Sequence, residues 1–204
     1  MTTWFTADLH IGHARIIEFC GRPFGSIEEH DAALIGEWRA KVAPEDTVYF
    51  LGDLTLNPRV EDVIGLLRQL PGQIRVVPGN HDRALKRFAK GRAAGALGSL
   101  GDLNRVAFLR GQERAEGFPR VRLDGKTLLL NHHPIEDWPG RSGRPGRRDE
   151  DPLAGRWHLH GHSHGKSAPI LGRLDVGWDT ARSMLCWDQV QSMIRTAALE
   201  AAAR

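Results

Sequence analysis

The sequence predicts an α/β fold in which mixed β-sheets are flanked by α-helices, and three observations carry that reading. In the first half, apolar stretches of strand length alternate with amphipathic helical stretches, the pattern of βα units. In the second half the strands follow one another more closely, and Asp124-Gly125 joins two of them as a hairpin signal. Five of the strands run directly into a turn bearing His, Asp or Asn.

In chain order, residues 3–7 read as a strand with two aromatics and 14–19 as the helix that follows. Ser26, with Glu29 three positions on, is a capping-box pattern. The helix it opens carries Ala33, Leu34, Ile35 and Trp38 at helical spacing and stops before Pro44. Residues 46–51 form the next strand. Residues 60–70 set Val63, Ile64, Leu67 and Leu70 on one stripe, an amphipathic helix closed by Pro71-Gly72. Strand 73–77 follows, then a Gly/Ala-rich stretch, 82–102, that is helical or irregular and has no readable boundaries. Further strands are expected at 104–109, 120–123, 126–130, 156–160 and 173–178. A short helix is expected at 188–194 and an Ala-rich tail at 197–204, helical or frayed. Residues 136–155 turn to Pro, Gly and charge and read as a mobile loop. With no internal repeat and no second apolar core, one domain spanning 1–204 is expected.

Composition excludes several classes. The 204 residues are 41% hydrophobic and 26% charged, enough to bury a sizeable core and unlike a disordered chain. A formal charge of +3 suits anionic substrates but is too small to argue for nucleic acid by itself. Cys20 and Cys186 show no pair spacing, which disfavours a disulfide framework and points to a reducing cytosol. No apolar run approaches a membrane span, and a strand follows Met1 too closely for a signal peptide. A cytoplasmic address without a membrane partner is therefore expected. His30 reads as a solvated helix residue, and Trp138, Trp178 and Trp187 as interface or core.

Ligand sites of open α/β sheets lie beyond the carboxyl ends of the strands. Five loops there carry Asp8, His10, Asp53, Asn80, His132, His162 and His164. Mixed imidazole and carboxylate donors suit zinc, manganese or iron better than calcium, which prefers oxygen alone. Seven candidates exceed the needs of one ion. With one carboxylate as a bridge they fit two, an arrangement used for in-line displacement at phosphorus.

The series D-x-H, G-D, G-N-H-[ED], H-x-P and G-H-x-H runs in order from Asp8 to His164, and in it the chain resembles the calcineurin-like metallophosphoesterase superfamily. The resemblance implies a four-layer fold built on a two-sheet sandwich. It implies that Asp8, His10 and His164 hold one metal, that Asn80, His132 and His162 hold a second, and that Asp53 bridges them. His81 would be catalytic, hydrogen-bonding the phosphoryl group or protonating the leaving oxygen, with Asn80 also on the substrate. Two divalent ions are implied, manganese ahead of iron, nickel or zinc. The implied reaction is attack of a metal-bound hydroxide on the phosphorus of a small phosphate ester, with nucleotide-like diesters slightly preferred over monoesters. His133 then neighbours the site without ligating, and His13, His158 and His160 take packing or orienting roles. Arg22 is a candidate substrate contact, with a surface salt bridge as its alternative.

The chain departs from the protein Ser/Thr phosphatase branch, because Leu54-Thr55-Leu56-Asn57-Pro58 stands where that branch has x-x-D-R-G. It looks more like the small single-domain bacterial or phage-type phosphoesterases. Two alternatives remain. One is a nuclease on the same site, which needs an extended basic groove; the clustered basic run available is Arg141, Arg144, Arg147 and Arg148. The other is a non-catalytic scaffold, disfavoured by the complete ligand set.

Overall fold

Two stacked β-sheets with helices against them form the computed structural model, which describes residues 1–95, 103–109, 118–134, 156–166 and 172–203. The first sheet has the order β4-β3-β2-β1-β9. Its strands are β1 (Thr3–Thr6), β2 (Thr47–Phe50), β3 (Gln73–Val76), β4 (Val106–Phe108) and β9 (Leu185–Cys186). The first four are parallel, and β9 closes the edge antiparallel to β1. The second sheet, in the order β5-β6-β7-β8, comprises β5 (Arg120–Leu123), β6 (Lys126–Leu130), β7 (Trp157–His160) and β8 (Arg173–Asp175). Here β5 and β6 are the expected hairpin, with Asp124 and Gly125 both at positive φ as its two-residue turn requires. Strands β6, β7 and β8 are parallel. The helix-flanked, mixed-sheet α/β architecture expected from the sequence is the one observed.

Strand periodicity decides which core each side chain joins. In β2, Val48 and Phe50 face the helices while Tyr49 and its successor Leu51 face the second sheet. Past the short helix α1 (Arg15–Cys20), one core gathers α2 (Ile27–Lys41), α3 (Val60–Gln69) and α4 (Arg83–Ala93) on the first sheet through Leu34, Trp38, Val63, Leu67, Leu85 and Phe88. The other lies between the sheets, where Phe5, Ala7 and Leu51 meet Leu128, Leu130 and Leu159. Helix α6 (Trp187–Ala202) seats Val190 and Ile194 against this second core.

Several boundaries differ from expectation for identifiable reasons. The Ser26 hydroxyl accepts from the Glu29 amide at 3.2 Å, but the Glu29 carboxylate turns to the Gly25 amide at 2.7 Å instead of closing a capping box on Ser26. Helix α4 begins directly after Asp82, whose carboxylate serves other loops and so does not cap it. The last expected strand stops at Asp175, because the chain breaks into the four-residue helix α5 (Trp178–Ala181) before β9. Helix α6 is far longer than the expected short helix. It opens on Cys186 and Gln189, an unusual capping box, and takes in most of the Ala-rich tail. Trp178 and Trp187 are core residues. The loop at 136–155, with its arginine cluster and Trp138, lies outside the described residues. Among the described residues no helix is long and apolar enough to cross a membrane.

Candidate metal centre

The parallel strands of both sheets end along one edge, and the loops leaving that edge interlock. Asp8 N donates to the Gly52 carbonyl at 2.9 Å and His10 N to the Asp53 carbonyl at 2.9 Å, joining the loops after β1 and β2. The loop after β3 is tied in by Asp82, which is 1% exposed. Its Oδ2 accepts from Asp53 N and Gly79 N at 2.7 and 2.8 Å, and its Oδ1 from Leu54 N at 2.8 Å. Gly52 and Gly79 pack back to back. A Cβ on either would strike the other loop, and Gly52 holds φ +98°, so both positions need glycine. Within the second sheet Gly161 N donates to the His132 carbonyl at 3.0 Å, and His162 N, donating to Asp8 Oδ2 at 2.8 Å, ties that sheet's loops to those of the first.

These loops force unusual backbone. Among the described residues seven non-glycine residues hold positive φ, and five of them are Asp8, His10, Asp53, His162 and His164. Such conformations cost about 1–3 kcal/mol each and concentrate at functional sites.

All seven predicted ligand positions meet here. Ligand atoms of Asp8, His10 and His164 lie within 4.8 Å of one another, as do those of Asp8, Asp53 and His132. Asp53 Oδ2 stands between His10 Nε2 at 3.7 Å and His132 Nε2 at 3.3 Å, a bridging position. Asn80 Oδ1 approaches His132 Nε2 at 2.8 Å and His162 Nδ1 at 3.1 Å. His132 Nδ1 donates to the Leu51 carbonyl at 2.8 Å, which places the ring proton there and leaves the Nε2 lone pair for the cluster.

The electrostatics call for a cation. Burial pushes the Asp8 carboxyl up to about 7 and the His10 imidazole down to about 3. Asp8 Oδ1 and both His10 ring nitrogens are buried without a hydrogen-bond partner among the described residues. An orphaned carboxylate oxygen beside an orphaned imidazole lone pair is costly unless a positive charge satisfies both. Burial also opposes ionisation of Asp53, but without metal His132 takes a second proton on Nε2, and its hydrogen bond and charge outweigh burial and hold the Asp53 carboxyl at about 2. The donor set fits a pair of divalent ions such as manganese, iron, nickel or zinc.

Other predicted residues fall around this cluster. His81 is exposed at its rim; its amide donates to Asp53 Oδ1 at 2.8 Å, and its ring lies 5.5 Å from that of His10. His13 lies beside both, its ring 5.3 Å from His10 and 6.4 Å from His81. His133 is exposed, its ring 4.2 Å from that of His162. Burial, then the charges of His162, His132 and Lys86, push it down to about 4. His160 Nδ1 lies 2.8 Å from the Gly161 carbonyl, supporting the turn that carries His162 and His164.

Arg22, expected at the substrate or in a surface salt bridge, lies instead beneath the cluster and is 4% exposed. Its guanidinium donates to the Asp8 and Leu9 carbonyls at 2.6 and 3.0 Å, so it braces the first ligand loop from behind. His30, expected in solvent, is fully buried against it, with Nε2 at 2.6 Å from Arg22 Nη1. Asp82, Asp175 and Asp179 hold the loops by contacts that their places in the sequence do not announce. Asp82 could have been found as the last letter of Gly79-Asn80-His81-Asp82. Asp175 accepts from Gly165 N and Gly177 N at 2.9 and 2.7 Å, and Asp179 pairs with Arg22; no local pattern marked either.

An α/β sandwich with a His/Asp/Asn cluster across the carboxyl ends of both sheets is the layout of a metal-dependent hydrolase. The calcineurin-like phosphoesterase family matches residues 1–166, and the chain belongs to that family, whose chemistry is metal-dependent hydrolysis of phosphoesters. Its relatives include the gene 66 protein of Mycobacterium phage L5, 30% identical over 210 residues, covering 94% of this chain and 93% of that one. The gene 66 protein of Mycobacterium phage D29 is 32% identical over 203 residues and covers 94% of both chains. The uncharacterized protein MJ1445 of Methanocaldococcus jannaschii is 41% identical over 86 residues, which is 42% of this chain and spans about half (49%) of its own length. Among solved structures, the protein of unknown function AQ665 from Aquifex aeolicus shares the fold, with a TM-score of 0.62 at 20% identity over 95% of this chain and 99% of that one.

Proposed function

We propose that this chain is a two-metal phosphoesterase acting on small phosphate esters, with nucleotide-like diesters slightly preferred over monoesters. In this reading Asp8, His10 and His164 hold one ion, Asn80, His132 and His162 the other, and Asp53 both; manganese is the favoured metal. The observation that supports it best is the set of buried orphan atoms, Asp8 Oδ1 and the His10 nitrogens, beside the bridging Asp53. Two divalent ions, when bound, supply the Lewis acidity that activates water near neutral pH and offsets phosphoryl charge. The Asn80 amide and the His81 ring then contact phosphoryl oxygens, and His81, exposed at the rim, delivers a proton to the leaving oxygen. The two unpaired cysteines are in keeping with a reducing cytoplasmic setting.

The test is turnover of bis-p-nitrophenyl and p-nitrophenyl phosphate with manganese, nickel, zinc or magnesium, beside His81→Ala. Turnover is expected only with a divalent metal and faster on the diester. His81→Ala should lose about 10²–10⁴-fold in kcat with metal uptake unchanged. Wild-type turnover in His81→Ala removes His81 as proton donor, and no turnover on any ester leaves the scaffold reading.

A second reading, a nuclease, is favoured by one feature. Helix α4 starts two residues beyond His81 and exposes Arg83, Lys86, Arg87 and Lys90, with no acidic residue in its sequence. This basic run is separate from the arginine cluster at 141–148. Lys86 is near enough to the cluster for its charge to act on His133.

A further inference from the structure

Asp179 sits in α5, beyond residue 166 where the family match ends, and its side chain is 2% exposed. Its Oδ2 accepts from His164 Nδ1 at 2.8 Å and from Arg22 Nη2 at 2.6 Å, and its Oδ1 from Arg22 Nε at 3.0 Å. The same guanidinium holds the Asp8 and Leu9 carbonyls. One carboxylate–guanidinium pair therefore grips both loops whose side chains form the Asp8, His10 and His164 cluster.

The pair is itself held in place. A guanidinium cannot accept a hydrogen bond, so His30 Nε2, facing Arg22 Nη1, must be the acceptor. That leaves the His30 proton on Nδ1, which donates to Asp31 Oδ1 at 2.7 Å. Asp31 Oδ2 in turn accepts from Gly12 N at 2.9 Å. The Trp178 ring covers the guanidinium, 5.1 Å from centroid to Cζ. Hydrogen bonds thus run unbroken from Gly12, next to the first ligand loop, to the ring of His164.

We propose that Asp179, clamped by Arg22, is a positioning residue that fixes the tautomer and ring plane of His164 and thereby sets the affinity of one metal site of the two. The inference rests on the two-metal reading. A carboxylate on Nδ1 keeps the proton there and leaves the Nε2 lone pair for a cation; losing such a partner typically costs 10–100-fold in metal affinity. A salt bridge serving the fold alone would act on both sites together, or on neither.

The test is manganese titration of wild type, Asp179→Asn and Asp179→Ala by calorimetry and by the spin-resonance signal of free Mn²⁺, below each protein's metal-free melting temperature. Wild type is expected to take up two ions. Both variants should keep one site at wild-type affinity and weaken the other about 10–100-fold, with excess manganese restoring most of the turnover. If Asp179→Ala does not fold, the isosteric Asp179→Asn decides. Two wild-type affinities in that variant, or an equal loss at both sites, overturns the proposal. Fewer than two ions on wild type overturns the two-metal reading first.

Discussion

At the scale of single residues the sharpest feature outside the metal cluster is His158, fully buried with neither ring nitrogen hydrogen-bonded to a described residue. Burial, then the charges of His160 and Arg173, lower its folded pKa to about 3 from 6.5. Between those values the unfolded chain binds the proton and the folded one does not, so stability falls as pH drops from about 6.5 toward 3. His158→Leu removes that linkage. Its acid-unfolding midpoint should therefore move to lower pH than wild type, as followed by circular dichroism, while metal uptake stays unchanged. An unchanged midpoint would show that His158 does not carry the acid sensitivity. The candidate ligands were legible because their residue types recur at strand ends. Arg22, His30 and Asp179 were not, since burial of a charge is decided by partners distant in sequence; Arg22 and Asp179 are separated by 157 positions.

At the scale of elements, α4 is where the two functional readings part. Its exposed cations follow one another at three- and four-residue steps, so one helix face presents a basic row leading away from His81. Arg87 is partly engaged with the Pro58 carbonyl, but Arg83, Lys86 and Lys90 make no ion pair with a described residue. If the substrate is a polymer, Lys86→Glu with Lys90→Glu should weaken oligonucleotide binding and flatten its dependence on salt. Unchanged oligonucleotide affinity in the double variant would end the nuclease reading. Element legibility followed length and chemistry. Helix α3 was readable from its apolar stripe, whereas β9, at two residues, carries too little pattern to register. Helix α6 was underestimated because Cys186 is not an expected cap and alanine carries no amphipathic signal.

At the scale of the whole molecule, two sheets are held with their carboxyl edges together, and that edge concentrates buried charge. In the metal-free protein the Asp8 carboxyl has a folded pKa of about 7 against 3.8 unfolded, with burial as the main cause. The folded state therefore holds a proton that the unfolded chain releases, and the contribution of Asp8 to stability falls as pH rises from about 4 to 7. The loss is on the order of a few kcal/mol at the upper end. His158 has the opposite slope over much of that range, so each effect must be read as a difference. Asp8→Asn carries no titrating group and, without metal, should gain stability relative to wild type between pH 5 and 8, measured by urea unfolding in chelator. A divalent ion binds the ionised carboxylate, so the stabilisation of wild type by added manganese should grow over the same interval and be smaller in Asp8→Asn. A metal-free difference that does not change with pH would mean that Asp8 is not the strained acid at this edge. A manganese effect equal in both proteins would remove Asp8 from the ligand set while leaving the fold as described.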